Sequence, residues 1–477
     1  MNSNSPEDTN IRNIRRLIWL YFWLLLFEGA LRKWVVPQLS NPLLIVRDPV
    51  LILIYLLAIR ARVFPNNAWV ISVGVIGLLA FAVSFVPLWP FLPPSRILLV
   101  TGFGLRSNFL HLPLIFVMPR VLRMEDVKRF GWWTLALTVP MALLMVGQFQ
   151  SAPDSFLNRT AGGEGEMMIA ALGKVRTAGT FSFVVGVVAF FALATAFLIW
   201  AALRRGVYKS WLLYAAGIAL AIGTAVSGSR SVVAGCAIVI ASLVVILVLK
   251  PQALNRFGHI LLVTLVLGFI VTRTPIFKEG FNVLSTRFSE VAEATEKSVG
   301  ADAFERISGD FRESWLAFTK APFLGYGLGI GTNAGAKFLT GRATFLLTEV
   351  EWSRLFLESG PVLGLAFVLW RCGLVARLGL LCVRSVKRSN VLPLLIFSST
   401  FAPLVNGQLG QPTILGFAVF ASGLALSARR EEETLPRDNA PDEMVRTARA
   451  LPRRSQYAER LHGSAPLPDH TNGAVDR

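Results

Sequence analysis

Charge is scarce in this sequence. Charged residues make up 16% of its 477 positions and hydrophobic ones 54%. That balance excludes an ordinary soluble chain and points to a polytopic membrane protein. Cysteine is scarce too: Cys236, Cys372 and Cys382 all fall in apolar runs. They match no metal-ligand spacing and give no ground for a disulfide framework. The four histidines, His111, His259, His462 and His470, are scattered. The glycine-dense GYGLGIG run at 325–331 lacks the Gly-Lys-Ser/Thr of a phosphate-binding P-loop. No internal repeat of the transporter kind is visible.

The formal charge is +18, which in a soluble protein would suggest nucleic acid as a partner. Here Lys and Arg sit in short clusters between apolar runs, the positive-inside pattern of a membrane protein, and nucleic acid is set aside.

A helix needs roughly 20 mostly apolar residues to cross a bilayer. That length predicts an all-α polytopic fold of about twelve transmembrane helices. They are expected near 17–36, 43–59, 68–90, 96–118, 131–149, 179–203, 211–227, 231–249, 257–272, 355–382, 391–408 and 411–428. The basic then apolar start resembles a signal peptide, but it lacks a small-residue cleavage site and reads as an uncleaved first span. Alternate connections carry Arg60 and Arg62; Arg120, Arg123, Lys128 and Arg129; Arg204, Arg205 and Lys209; Lys250 and Arg256; Arg384, Lys387 and Arg388. The hairpins near 37–42, 91–95 and 408–411 carry neither Lys nor Arg. This asymmetry predicts cytoplasmic termini. The expected organisation is a cytoplasmic N-terminus at 1–16, helices across 17–272, one long outer loop at 273–354, helices across 355–428 and a disordered cytoplasmic tail at 429–477. The loop carries Trp315, Phe318, Phe323, Tyr326 and Phe345, so it is expected to be partly helical and to fold back over the membrane domain.

Ionisable residues inside spans need a partner or a wet cavity. Glu28 and Arg32 are spaced i, i+4 and can pair on one helix face. Arg106, in TGFGLRSNFLHLPL, has no carboxylate in its own span; a cross-helix partner and an anionic ligand both fit it. Arg176 lies just ahead of the sixth expected span and Arg230 in the turn VSGSRSVVAG between the seventh and eighth. A guanidinium beside a helix N-terminus suits phosphate, through its bidentate fork and the helix dipole. Such arginines also anchor helix ends at the headgroup layer. At the end of the loop, in LLTEVEWSRLFLESG, Glu351, Arg354 and Glu358 share one helix face and predict a bridging ladder that leaves Glu349 outside it. Glu349 is a candidate general base, or an ordinary helix-start glutamate. Glu351, Arg306 and Arg106 are secondary site candidates.

KVRTAGTF entering a span, SGSR at a hairpin, FRESWLAFTKAPFLGYGLGIG in the loop and EVEWSRLFLESGPVLG re-entering the membrane resemble the bacterial O-antigen ligase and O-antigen polymerase superfamily. The likeness covers roughly residues 170–375, and EGALRKWVVP looks like a subgroup tied to exopolysaccharide assembly. The resemblance implies a metal- and cofactor-independent inverting glycosyltransferase of the inner membrane. Its donor would be a polyprenyl-diphosphate-linked glycan, its acceptor a glycan or lipid-linked glycan, and its partners polysaccharide export or chain-length regulator proteins. Arg176 and Arg230 would hold the diphosphate and Arg312, in the Arg-x-x-Trp segment, would line the site. Ligases of this superfamily commonly carry a His-Asn pair where this chain has Glu349 and Val350. That departure favours a polymerase and makes Glu349 the candidate base. A transporter or flippase of lipid-linked glycans is the alternative reading.

Overall fold

The structure, a computed structural model, describes residues 6–162, 169–204, 206–249, 271–295, 299–341 and 345–429. Among them regular structure is helical, apart from one isolated antiparallel bridge between Ile169 and Val175. The first half comprises α1 (Pro6–Ala30), α2 (Arg47–Arg60), α3 (Ala68–Val83), α4 (Pro94–Leu105), α5 (Leu114–Val121) and α6 (Met124–Gln150). After it come α7 (Val184–Leu203), α8 (Ser210–Val226) and α9 (Arg230–Leu249). The loop region folds as α10 (Pro275–Thr295), α11 (Val299–Lys320) and α12 (Asn333–Thr340). The chain continues through α13 (Glu351–Lys387), α14 (Leu392–Ser398), α15 (Phe401–Asn406) and α16 (Pro412–Arg429).

Among the described residues seven helices are long and apolar enough to cross a membrane: Pro37–Arg60, Ala68–Leu88, Met124–Gln150, Val184–Leu203, Arg230–Leu249, Glu351–Lys387 and Pro412–Arg429. Pro94–Leu110 with Leu114–Val121, bent by 42°, makes an eighth if the pair is one span. The twelve spans expected from apolar length are thus not recovered as twelve such helices among the described residues. Each departure has a physical cause. α1 carries Arg15, Arg16 and Glu28 along its length. α8 has only 17 residues. The segment expected to span at 391–408 is broken into α14 and α15. At the far end of α15 Arg371 donates to the carbonyls of Leu404 at 2.8 Å, Pro403 at 3.1 Å and Gly407 at 2.8 Å. Non-helical backbone at membrane depth is tolerated where protein donors satisfy it. Most of the span expected at 257–272, and the tail beyond Arg429, lie outside the described residues.

The ladder at the start of α13 is the polar centre of the fold. The Arg354 guanidinium bridges Glu351 at 2.9 Å and Glu358 at 2.8 Å, the pairing that the i, i+3, i+7 spacing predicts. Arg371 reaches Glu351 at 2.7 Å from beyond the break at Gly360 (φ 77°, ψ 169°), which divides Glu351–Lys387 into two helical segments and folds the second back beside the first. Arg354 also donates to the Asn108 side-chain oxygen at 2.9 Å. The second carboxylate oxygen of Glu358 accepts the Gly331 N–H at 2.8 Å. All four charged side chains are buried. The glycine-dense turn at 325–331 is therefore a packing wedge: Gly329, at φ 90°, sits against Gly104 and the Val100 carbonyl so closely that a Cβ on it would lie 2.4 Å from that oxygen.

A second buried network explains Arg106, whose partner is Asp48 on α2, gripped in two hydrogen bonds at 2.6 and 3.0 Å. The same carboxylate contacts His111 at 3.0 Å, His111 meets the Tyr21 hydroxyl at 2.9 Å, and Glu28 pairs with Arg47 at 3.1 Å and Arg32 at 3.5 Å. Of the two readings left open for Arg106, the cross-helix partner is the one observed.

Removing one partner of a buried ion pair leaves the other charge uncompensated. Glu351→Ala is therefore expected to lower stability by about 3–5 kcal/mol. Glu349→Ala, at an exposed position, is expected to change it by less than about 0.5 kcal/mol. Thermal unfolding of the two purified variants in detergent checks both.

Candidate functional site

Three segments far apart in sequence converge on one cavity of about 340 Å³, lined by Arg176, Gly228, Ser229, Arg230, Ser231 and Arg287. The first segment is the connection between α6 and α7. Its hairpin closes through the Ala170 N–H on the Lys174 carbonyl at 2.7 Å. It is tied to the end of α8 by the Thr177 hydroxyl, which donates to the Val226 carbonyl at 3.2 Å. The second segment is the α8–α9 turn. Gly228, at φ 57°, turns with its α-carbon hydrogens facing the hairpin, and a Cβ there would lie 2.6 Å from the Ala170 Cβ. Only glycine permits both the left-handed backbone and that approach. The third segment is α10. Its Gly280 abuts the backbone of Ala225 and Val226 so closely that a Cβ there would lie 2.9 Å from Ala225. Two turns on, the same helix face delivers Arg287. Lys174 pairs with Glu279 at 2.8 Å and pins hairpin to helix.

Arg230 is the first residue of α9, so the N–H groups of a 20-residue helix's first turn and its positive dipole end adjoin the cavity. The expected helix start beside Arg176 is corrected: α7 begins only at Val184. Residues 177–183 stay irregular because other elements claim their polar groups. The Gly179 N–H donates to the Gln148 side-chain oxygen at 2.8 Å. The Gly179 carbonyl accepts from Lys33 at 2.7 Å and from Gln148 at 3.1 Å. The Thr180 hydroxyl donates to the Leu26 carbonyl at 2.8 Å. Arg176 thus reaches the cavity from a clamped loop, not from a helix end.

Burial, reinforced by the facing Arg287 and Arg230, holds the Arg176 guanidinium below its ordinary value. Among the described residues the lining carries three guanidinium groups and three small residues and no carboxylate. Planar forks at a helix N-terminus suit a multivalent oxyanion such as phosphate or diphosphate. The volume falls at the small end of the roughly 300–1,000 Å³ usual for ligand pockets.

The other sequence candidates lie elsewhere. Arg312 is exposed on α11 and is absent from the lining. The side chain of Arg306 lies outside the described residues. Glu351 and Arg106 are committed to the buried networks. Glu349 is exposed on the turn before α13, its carbonyl accepting from the Gln408 side chain, and it does not line the arginine cavity. Arg287 was not among the expected residues. Its signal was present: Gly280, Val283, Leu284 and Arg287 are spaced i, i+3, i+4, i+7, a charge continuing an apolar helix stripe. Among the described residues no cluster of His, Cys, Asp or Glu is arranged to hold a metal ion. Comparison with protein-family models, curated proteins and solved structures gives no match.

A charge-assisted hydrogen bond contributes about 1.5–3 kcal/mol. Arg287→Ala should therefore weaken pyrophosphate binding about tenfold or more in isothermal titration of the detergent-solubilised protein. Arg176→Lys tests the electrostatics. A lysine in this desolvated, cation-facing position loses its proton as pH rises, whereas an arginine keeps its own. The ratio of wild-type to variant affinity should grow between about pH 7 and about pH 10. A constant ratio would place the side chain in open water.

Proposed function

We propose that this chain is a multi-pass inner-membrane glycan polymerase or ligase that transfers a polyprenyl-diphosphate-linked oligosaccharide to a glycan acceptor at the outer leaflet. The observation that carries the proposal is the convergence of Arg176, Arg230 and Arg287 on one cavity at the start of α9. The proposed topology has about twelve membrane crossings, both termini in the cytoplasm and the 273–354 loop on the periplasmic side, following the Lys/Arg bias of the connections. In that topology α9 runs inward from the outer face, and its N-terminus and the three arginines open toward the leaflet where lipid-linked glycans await assembly.

The proposed reaction is a direct displacement. Glu349 takes the proton of the acceptor hydroxyl, and that oxygen bonds to the anomeric carbon of the donor with inversion. The bond from the anomeric carbon to the diphosphate oxygen breaks, and the leaving diphosphate carries away the electron pair. Fixed cations stabilise the developing negative charge without reorganising. Arg176, Arg230 and Arg287 supply that charge in this reading. Glu349 stands at the far end of the same loop region and is exposed, open to an incoming acceptor.

Purified protein incubated with lipid-linked repeat units should yield longer chains on a gel. Arg230→Ala should slow lengthening by about 100-fold or more, and Glu349→Gln should abolish it. Lengthening that survives both substitutions would remove the mechanism. Movement of the lipid-linked glycan across vesicle membranes without lengthening would favour a flippase instead.

A further inference from the structure

The turn at 322–331 is held at one end of two neighbouring helices. α3 and α13 lie antiparallel. Near one end the Trp370 indole N–H donates to the Trp69 carbonyl at 3.1 Å and the Ser72 hydroxyl at 3.0 Å. At the other end the turn bridges them. The Leu328 N–H donates to the Ser84 hydroxyl at 2.8 Å, and the Tyr326 and Gly327 N–H groups donate to the carbonyls of Leu357 at 2.7 Å and Glu358 at 3.0 Å. The Gly325 N–H is taken by the Pro322 carbonyl at 2.8 Å. A side chain on Gly327 would collide with Leu88.

The N–H groups of Gly325, Tyr326, Gly327 and Leu328 are satisfied from within the protein, yet the turn's aromatic side chains face out. Phe323 is 73% exposed and Tyr326 47% exposed; Trp89 and Phe91, just past the end of α3, are 63% and 81% exposed. Exposed apolar residues continue from this cluster along both candidate spans, through Val86 and Leu78 on one side and Val362 and Leu369 on the other.

We propose that Phe323 and Tyr326, with Trp89 and Phe91, seat the 322–331 turn in the boundary between lipid headgroups and acyl chains. The loop then touches the bilayer at this point. Two observations select lipid as the occupant. The aromatic cluster is continuous with the apolar flanks of two membrane-crossing helices, where aromatic rings gather at the headgroup level. The inward-satisfied N–H groups meet the condition that lipid contact imposes on a non-helical backbone. A surface built to stack sugars would have no need to continue into apolar helix flanks.

The proposal rests on the membrane reading and is independent of glycan transfer, and its test does not use activity. The full chain, with Cys236, Cys372 and Cys382 replaced by alanine, carries bimane at Phe323→Cys in phosphatidylcholine vesicles. Bimane at Asp310→Cys, an exposed position on α11, is the reference. Nitroxide-labelled lipid should quench bimane at 323 roughly threefold more than the reference, and iodide present on both faces roughly threefold less. Phe91→Cys, which leaves the turn intact, should behave as Phe323→Cys does. Equal iodide quenching at all three positions without lipid quenching would overturn the proposal. Shielding that arises only when soluble oligosaccharide is added would also overturn it, and would mark a glycan platform.

Discussion

Charge removed from water must meet opposite charge, and in this molecule that requirement falls on the start of α13. An ionisable side chain at the centre of a bilayer costs about 2.5–3.5 kcal/mol on insertion scales, so the four buried charges of Glu351, Arg354, Glu358 and Arg371 stand only as a set. What makes the set structurally decisive is where its spare valences go. Glu358 takes the Gly331 N–H of the loop turn, Arg354 takes Asn108, and Arg371 takes the carbonyls at the break between α15 and α16. Three pieces with little else in common are registered by one polar cluster against the two helical segments that meet at Gly360.

Asn108 links this cluster to the second one. It lies in the π-helical turn Arg106–Leu110, and an extra residue in a helical turn re-aims side chains that an α-helix would stack. Arg106 faces Asp48 while Asn108, two residues on and so roughly on the opposite side of the helix, faces Arg354. The two networks meet at an irregularity in the helix, and the 42° bend follows it, between Leu110 and Leu114.

What the sequence made legible follows the reach of its rules. The Glu351–Arg354–Glu358 ladder is local, and helical spacing was enough to find it. The Asp48–Arg106 pair spans two helices, and no periodicity within one span can name a partner in another. Apolar length identified the helices that are continuous, and it failed where the chain is broken and buried side chains satisfy the freed carbonyls, as Arg371 does at the end of α15. Arg176 and Arg230 were found because each is flanked by glycine, serine or threonine in a short connection. The reason offered for Arg176 was nevertheless wrong in detail, because Gln148 and Lys33 claim Gly179 and postpone the helix to Val184. Arg287 was passed over because a charge in a long polar loop draws no notice until the stripe of Gly280, Val283 and Leu284 is seen to lead to it.

The two kinds of arginine in this chain differ in what surrounds them. Arg47, Arg106, Arg354 and Arg371 each meet a carboxylate inside the protein, and such pairing consumes their capacity to recognise a ligand. Arg176, Arg230 and Arg287 face one another across a cavity to which the described lining residues contribute no carboxylate, and repulsion among like charges is relieved when a multivalent anion enters. That cavity also exists only because the loop region docks. Arg287 arrives on α10, held by the contact of Gly280 with the end of α8 and by the Lys174–Glu279 pair. The loop region thus begins by completing the arginine-lined cavity and ends, at α13, in the ion cluster that fixes its own return. A loop that only connected two spans would need neither anchor.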